Sequence, residues 1–359
     1  MGSIALPCIS RRIWRLPMLA ITGALLAAAP APVDHALLGP SFAAKAPDAL
    51  ARAIVRRART ALKRPPTPLP RLHTEGTLPG HGIRDISIVA KRDHPITLDL
   101  ALAWRVTGER AFLDATDRYL VAWAKLYQPS FNPIDETGFD ALILAYDLTE
   151  ADLPDASRAM LDAFWRRMAV GYLDAMEGRP RGAITNWQSH RIKLATLAAF
   201  QTGDPALVAR AQAAYRRQIA ANLRADGSTF DFEERDALHY VTYNLDPLMM
   251  AALAAQAHGQ AWFAFEAPSG ASLPRSLDWL ARYARGERTH VEFANSRIAF
   301  DRERAAAGQK DFAQHAWNPA KAVNSFALAA RLDLRFAATR DALIGRTGQR
   351  PAEWMMIGS

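Results

Sequence analysis

The segment from residue 235 to residue 243, Arg-Asp-Ala-Leu-His-Tyr-Val-Thr-Tyr, holds side chains that can take a proton from a carbon next to a carboxylate. Arginine neutralises the carboxylate with a fixed positive charge, and histidine or tyrosine accepts the proton. A second polar cluster, Asn186-Trp187-Gln188-Ser189-His190-Arg191, opens an apolar run upstream. Together the two clusters predict an enzyme that acts on an acidic polymer.

The chemistry that these residue types favour is β-elimination in a 4-linked uronate. Removal of the C5 proton creates an enolate, which Arg, Asn, Gln or neutral His stabilises by donating hydrogen bonds. A Tyr or a His takes this proton, and a Tyr or a His protonates the departing O4; one Tyr does both when they lie on one face of the ring. Because tyrosine has an ordinary pKa of about 10, a basic tyrosine needs a cationic neighbour, and Arg235 is close in sequence.

Helical spacing predicts that this cluster shares one face. Arg235, His239 and Tyr243 are each four residues apart, and Tyr240 lies at the edge of the same face. The alternative is structural: both tyrosines are core residues of an amphipathic helix, His239 is a buried histidine with its partners, and Arg235 is a surface charge at the helix start. The spacing alone leaves both interpretations open.

The elements that must position these residues are helices. Apolar residues recur at three- and four-residue steps from Asp48 onwards. Similar runs follow at about 96–107, 109–126, 138–148, 155–176, 188–202, 204–223, 237–258, 274–285 and 321–332. The best strand candidate is the short segment 84–90, and the stretches 127–136 and 286–320 are predicted to be loops over a cleft.

Two helix pairs, Leu98 to Ala124 and Leu194 to Ala220, look like copies of one unit, each broken at a Thr-Gly-acid sequence. Repeated helical hairpins form either an open solenoid or a closed ring of paired helices. No Ser/Gly-rich linker divides the chain, so we predict a single catalytic domain at about 45–345.

The N-terminal residues 1–35 have the pattern of an export signal. Arg11, Arg12 and Arg15 precede the apolar run Leu16 to Ala29, which is too short for an ordinary membrane span. We expect cleavage at 31–36 and a periplasmic or secreted protein without a stable membrane span. The twin arginine also fits export of a folded protein, and an uncleaved anchor is the alternative.

The composition narrows the partners. The only cysteine is Cys8, so the mature chain has neither disulfides nor thiolate zinc ligands. The net charge of +8 attracts polyanions. Nucleic acid is disfavoured, because export argues against it and no Lys/Arg-dense block with interleaved aromatic residues is present. An acidic polysaccharide is therefore the expected partner; the oligomeric state is left open.

Several motifs, in order along most of the mature chain, resemble the alginate lyase superfamily. They are Lys91-Arg92-Asp93-His94-Pro95, Asn132-Pro133-Ile134, Asn186-Trp187, Arg235 to Tyr240 with Pro247-Leu248, Glu292 to Ser296, and Phe300-Asp301-Arg302. The resemblance implies an all-α fold, an incomplete (α/α) toroid of helical hairpins. It also implies β-elimination in alginate, polymannuronate or glucuronan, with no metal and no cofactor.

The resemblance and the chemistry together select the candidate site residues. The catalytic candidates are Tyr243, Tyr240, His190, Arg235, Asn186 and His239. The substrate-binding candidates are Gln188, Trp187, Lys91, Arg92 and His94.

The chain departs from the family pattern at two positions. Gln188 stands where a gapless alignment expects histidine, so either His190 takes that role or Gln188 only binds the carboxylate and a tyrosine makes every proton transfer. Asp236 stands where the family has arginine, with Arg235 one residue away. In a structural interpretation, Asn186 is instead a helix N-cap and Trp187 a core residue.

Two other function classes are open. The adjacent acids Glu233 and Glu234 raise the possibility of an inverting glycosidase, which also uses two carboxylates, although neighbours on a helix point apart. Loss of the expected histidine is compatible with a non-catalytic polysaccharide-binding or scaffold protein.

Overall fold

The protein was analysed as a computed structural model that describes residues 1–2, 35–178 and 180–357. The predicted signal peptide and most of its cleavage region therefore lie outside the described residues. The first helices are α1 (Asp48–Ala61), α2 (Arg84–Ala90), α3 (Asp93–Thr107), α4 (Arg110–Leu126), α5 (Phe139–Thr149), α6 (Asp155–Glu177) and α7 (Asn186–Gln201). They are followed by α8 (Pro205–Asn222), α9 (Phe230–Arg235), α10 (Leu238–Ala257), α11 (Leu273–Ala284), α12 (Ala299–Ala306), α13 (Val323–Leu332) and α14 (Ala337–Thr347).

The helices pack as an incomplete ring of hairpins, which confirms the predicted all-α toroid. Along the inside, α3 packs on α5, α5 on α7, α7 on α10, and α10 on α13. Outer helices cover this ring: α1 and α4 pack on α3, α6 and α8 on α7, and α14 on α13. The inner helices α7 and α10 are buried on nearly all sides. Most of the buried side chains of α10 are apolar, whereas the first half of α7 also buries polar and charged side chains such as Ser189, His190 and Lys193.

The C-terminal residues bridge the two ends of the ring. Arg57 of α1 donates to Glu353 at 2.6 Å and to Asp99 of α3 at 2.6 Å. Arg331 of α13 donates to the carbonyl of Ile357 at 2.9 Å. The predicted catalytic domain is 45–345. The compact unit Asp34–Ser359 extends beyond both of these boundaries.

Hairpin turns occur where the Thr-Gly-acid sequences predict them. Gly108 ends α3 with a φ of 69°, and Gly203 follows α7 with a φ of 63°. A positive φ is the conformation that glycine adopts at low cost, so it ends each helix sharply.

Three predictions of local structure are wrong. The segment 84–90, predicted to be a strand, is the helix α2; its buried residues, Ser87 and Ala90, are three apart and hence on one helical face. The predicted loop 286–320 contains α12 and a two-stranded antiparallel sheet, Val291–Glu292 with His315–Ala316. The third wrong prediction is that one continuous helix carries Arg235 and Tyr243 on the same face; the two residues lie on different helices, α9 and α10. None of the helices in the described ranges is long and apolar enough to cross a lipid bilayer.

Candidate active site

A groove of about 950 Å³ opens on one end of the ring, where α7, α9 and α10 begin or end. One side, which we call the helical wall, consists of the groove-lining residues of these helices: Asn186, Trp187, Phe230, Asp231, Glu234, Arg235, His239, Tyr240 and Tyr243. Opposite lies the crossing segment, residues 290–312, which lines the groove with Ile298, Phe300, Glu303, Arg304 and Phe312. The structure therefore gathers five of the six catalytic candidates in one groove.

Tyr243 separates this groove from a smaller chamber inside the ring. The chamber has a volume of about 240 Å³, and its polar lining comprises Asp140, His190, Lys193, Tyr243, Asp246 and Asn324. The sixth catalytic candidate, His190, lies here with its ring centroid 4.2 Å from that of Tyr243. His190 and Tyr243 thus meet at the floor of the groove, although they come from α7 and α10.

His190 is a neutral imidazole. Burial, and secondarily the Lys193 ammonium, hold the pKa of His190 well below its usual range. Its Nδ1 lies 2.7 Å from the hydroxyl of Thr137, while its buried Nε2 has no hydrogen-bond partner among the described residues. Burial likewise raises the pKa of Tyr243, whose hydroxyl has no hydrogen-bond partner in the same part of the chain.

Tyr240, and not Tyr243, is the tyrosine that contacts arginine. Arg235 donates to the Tyr240 hydroxyl at 2.9 Å and stacks on its ring at 4.1 Å, and Arg304 donates to the same hydroxyl at 3.2 Å. Burial raises the pKa of Tyr240, and Arg235 and Arg304 oppose that rise. The expectation that Arg235 lowers the pKa of Tyr243 is therefore corrected.

The prediction that Arg235 shares one helical face with His239 and Tyr243 is wrong, because a helix ends between Arg235 and His239. Arg235 is the last residue of α9, and Asp236 adopts a left-handed conformation with a φ of 47° before α10 begins at Leu238. The crossing segment holds this turn. Asn295 donates to the Asp236 carboxylate at 2.8 Å through its backbone and at 2.9 Å through its side chain.

Two carboxylates of the crossing segment position the helical wall. Glu292 accepts from the backbone N–H groups of Leu238 at 2.6 Å and His239 at 2.9 Å, and so caps the N-terminus of α10. Asp301 is buried and forms an ion pair with Arg235. The turn into α10 is therefore set by residues far along the chain.

His239 lies on the groove as predicted. Its ring is parallel to that of Tyr243 at 6.1 Å and perpendicular to that of Tyr240 at 5.0 Å. Burial, with Lys321 as the next cause, lowers the pKa of His239 to about 4. The ring is hence neutral near pH 7 and adds no positive charge to the groove.

At the start of α7 the structure separates three neighbouring candidates. Asn186 lines the groove and donates its side-chain amide to buried Asp231 at 2.5 Å, whereas Thr185 is the N-cap. Trp187 also lines the groove, with the guanidinium of Arg181 5.1 Å from its ring centroid. Gln188 is buried, accepts from Arg191 at 3.1 Å and is not among the groove residues, against the prediction that it binds the substrate carboxylate.

The candidates around residue 92 are dispersed. His94 is buried in the core at 1 % exposure, between Trp123 and Phe139, where burial lowers its pKa to about 3. Arg92 is exposed and is not among the groove residues. Lys91 donates to Thr74 at 2.7 Å, and burial lowers its pKa to about 8. The predicted substrate contacts of His94 and Arg92 do not fit these positions.

Sequence reasoning missed three residues of the site: Arg304, Thr137 and Lys193. Arg304 lies 4.5 Å from the ring of Phe300 and 4.4 Å from that of Phe312, and forms no ion pair with a described carboxylate. The family-like sequence Phe300-Asp301-Arg302 was a signal for this region, although it pointed to the wrong arginine. The two acids considered for a hydrolase also separate: Glu233 pairs with Arg224 at 2.7 Å, and Glu234 lines the groove.

No group of three or more His, Cys, Asp or Glu side chains in residues 35–178 and 180–357 has an arrangement that holds a metal ion.

A helical toroid with arginine, neutral histidine and two tyrosines at its central groove defines the class of helical polysaccharide lyases. The family model described as Alginate lyase matches residues 34–290, which is more than half of the chain. The chain belongs to the alginate lyase family. No protein in the curated comparison matches it.

Solved structures show the same fold. An alginate lyase from Bacteroides ovatus is 15 % identical, with a TM-score of 0.61 over 87 % of this chain and 90 % of that one. Alginate lyase A1-III from Sphingomonas species A1 is 20 % identical, with a TM-score of 0.51 over 71 % of this chain and 82 % of that one. A variant of A1-III complexed with a tetrasaccharide has a TM-score of 0.53 at 20 % identity, covering 72 % of this chain and 81 % of that one.

Proposed function

We propose that this lyase cleaves a 4-linked uronic acid polymer by metal-independent β-elimination, with Tyr243 as the proton-transfer residue. The observation that carries the proposal is the position of Tyr243. Its ring lies 4.2 Å from neutral His190 on one side and 6.5 Å from arginine-bound Tyr240 on the other, at the floor of an open groove. The tetrasaccharide bound to variants of A1-III supports an oligosaccharide in the corresponding groove here.

Neutralisation of the uronate carboxylate comes first, because the enolate carries a second negative charge. Asn186 lines the groove and has one amide hydrogen left after its bond to Asp231. Arg304 brings a positive charge that no described carboxylate balances, whereas the charge of Arg235 is balanced by Asp301. These groups stabilise the enolate oxygens as an oxyanion hole does.

The elimination then balances without a redox partner. Ionised Tyr243 takes the C5 proton, a C4=C5 double bond forms, and the C4–O4 bond breaks. The same hydroxyl returns its proton to O4, so the enzyme ends as it began. Burial raises the pKa of Tyr243, so its ionisation requires the positive charge of Arg304 close to the bound substrate.

One tyrosine acting on one face favours sugars whose C5 hydrogen and O4 lie on the same side. Mannuronate and glucuronate have that arrangement, and guluronate has the opposite one. Polymannuronate and glucuronan are therefore the proposed substrates, with polyguluronate as the matched contrast.

The test is incubation with each of the three polymers while the absorbance of the unsaturated product is followed. The expected result is a rise with polymannuronate or glucuronan and none with Tyr243→Phe. New reducing ends without absorbance would indicate hydrolysis, and binding without either product would indicate a polysaccharide-binding protein. Either result would overturn the proposal.

Export belongs to the same proposal, since the polymer is extracellular and residues 1–35 have the pattern of a signal peptide. The expected mature N-terminus lies between residues 31 and 36. Mass measurement of the exported protein, expressed from the full chain, checks the cleavage site and the compartment together.

A further inference from the structure

Behind the groove, His190 is connected to two residues to which the reaction above gives no role. Lys193 donates to the Thr137 hydroxyl at 2.9 Å, to the Thr137 carbonyl at 2.9 Å and to the Asp140 carboxylate at 2.5 Å. The three donors of the ammonium are thus all used. The hydroxyl of Thr137 also lies 2.7 Å from Nδ1 of His190, so this hydroxyl joins Lys193 to His190.

The direction of these hydrogen bonds follows from the number of available protons. The Thr137 oxygen accepts from Lys193, and its single proton needs an acceptor. Among the described residues, the acceptor within reach of this hydroxyl proton is Nδ1 of His190. If Nδ1–H donated to the Thr137 oxygen instead, the hydroxyl proton of Thr137 would have no partner. Nδ1 therefore carries the lone pair, and the proton of the neutral ring lies on Nε2.

We propose that Thr137 and Lys193 are positioning residues that hold His190 as the neutral Nε2–H tautomer beside Tyr243, so that His190 cannot act as the base. This rests on the proposed function. A ring with Nε2 protonated and Nδ1 occupied has no free lone pair at either nitrogen. Proton transfer is then left to tyrosine. Of the two interpretations that Gln188 raised, this inference favours the one in which a tyrosine makes every proton transfer.

The loop that carries Thr137 is built to stay in place. The preceding residue, Glu136, is fully buried and accepts from the hydroxyls of Tyr127 at 2.6 Å and Tyr172. Asp135 accepts from the backbone N–H groups of Thr74 at 2.6 Å and Glu75 at 2.9 Å. These partners fix the Thr137 hydroxyl before substrate arrives, which is what preorganisation of a hydrogen-bond donor requires.

The charged groups that face His190 act in the same sense. Lys193 lies nearest and disfavours a second proton on the ring, and its charge is paired with Asp140. Asp246, Tyr243 and the uncharged Asn324 complete the polar lining of the chamber. The neutral form of His190 therefore depends on Lys193 as well as on burial.

The direct test is ¹⁵N NMR of the protein labelled at histidine, with the His190 signals assigned by comparison with His190→Ala. At neutral pH we expect a neutral ring protonated on Nε2 in the unaltered protein. A ring protonated on Nδ1, or on both nitrogens, would overturn the inference even if the enzyme is fully active.

Paired variants test the consequence for catalysis. Thr137→Val keeps the side-chain shape and removes the hydroxyl, so we expect kcat to fall about fivefold, the equivalent of one hydrogen bond, and the Nδ1–H tautomer to appear. Thr137→Ser restores the hydroxyl and should recover most of this loss. If both variants lose activity alike while the tautomer is unchanged, Thr137 only supports the loop and the inference fails.

Lys193→Met isolates the charge. Without the ammonium His190 binds a proton more readily, so the acid limb of the kcat/KM profile should move to higher pH. An unmoved profile contradicts the role given to Lys193. Because the NMR measurement needs no substrate, absence of lyase activity would defeat the proposed function alone, and a wrong tautomer would defeat this inference alone.

Discussion

The two sides of the groove are built differently. On the helical wall, Asn186 is held by buried Asp231, and behind this wall His190 contacts Thr137; Asn186 and His190 are themselves buried in the ring. The crossing segment holds its own arginine, Arg304, against Phe300 and Phe312, and has exposed neighbours such as Glu303. The helical wall, to which we assign proton transfer, is therefore backed by buried residues of the ring, whereas the opposite side supplies charge through contacts that a substitution can remove singly.

The largest effect is expected on the helical wall, at Tyr243. Tyr243→Phe removes the hydroxyl to which we assign proton transfer and should lower kcat/KM by about 10²- to 10⁴-fold without changing the fold. Tyr240→Phe is the matched control on the same helix: it removes the hydroxyl that Arg235 and Arg304 contact and should cost about tenfold. Initial rates of absorbance increase measure both. A larger loss for Tyr240→Phe would reverse the assignment.

A smaller effect is expected on the crossing segment. Arg304→Met keeps the length of the side chain and removes its charge, and should lower kcat/KM about ten- to thirtyfold, since a charge-assisted hydrogen bond contributes about 1.5–2 kcal/mol. Arg302→Met is the control, because Arg302 is exposed and donates only to the carbonyl of Ser296 at 3.2 Å. Equal losses in the two variants would mean that general surface charge, and not the position of Arg304, matters.

The chamber behind the helical wall also predicts a pH dependence of stability, through Asp246. Burial raises the pKa of Asp246 to about 7, so the folded state holds this proton more tightly than the unfolded chain. The contribution of Asp246 to the free energy of unfolding is fully present below about pH 4 and is lost as the pH rises through about 7. The total loss approaches about 4 kcal/mol. Asp246→Asn should flatten that decline, as measured by urea unfolding at pH 5 and pH 8. The same slope in both proteins would contradict the assignment.

The smallest effect is expected outside both walls, at Arg92. This exposed residue is not among those lining the groove, so Arg92→Ala should leave kcat/KM within about twofold. A rise in KM measured with long polymers but not with short oligosaccharides would show instead that the substrate extends beyond the groove to α3.

Local pattern was enough for most helices of the ring, because their apolar periodicity and turn glycines act over a few residues. It failed for α2, where alternating isoleucine and valine suggested a strand, yet Ile86 and Val89 are exposed. It also failed for α12, a short polar helix in the crossing segment. Such segments have little periodicity of their own, and their conformation depends on the partners they contact.

For the site, the residue types in the two polar clusters correctly indicated which side chains line the groove, whereas the position of a residue in a family motif did not. Tyr243, Tyr240, His239, Asn186 and Trp187 line the groove, as the polar clusters predicted. His94 matched a family motif, yet it packs against Trp123, because a motif can be retained for its role in the core.

The sequence by itself determined the helical ring, the inventory of proton-transfer side chains and the family, all of which depend on local periodicity or on ordered motifs. Only the tertiary structure decided that Arg235 and Arg304 meet at Tyr240 and that Thr137 orients His190. The physical reason is distance along the chain. Thr137 and His190 are 53 positions apart and Tyr240 and Arg304 are 64 apart, so each contact exists only once the ring has closed.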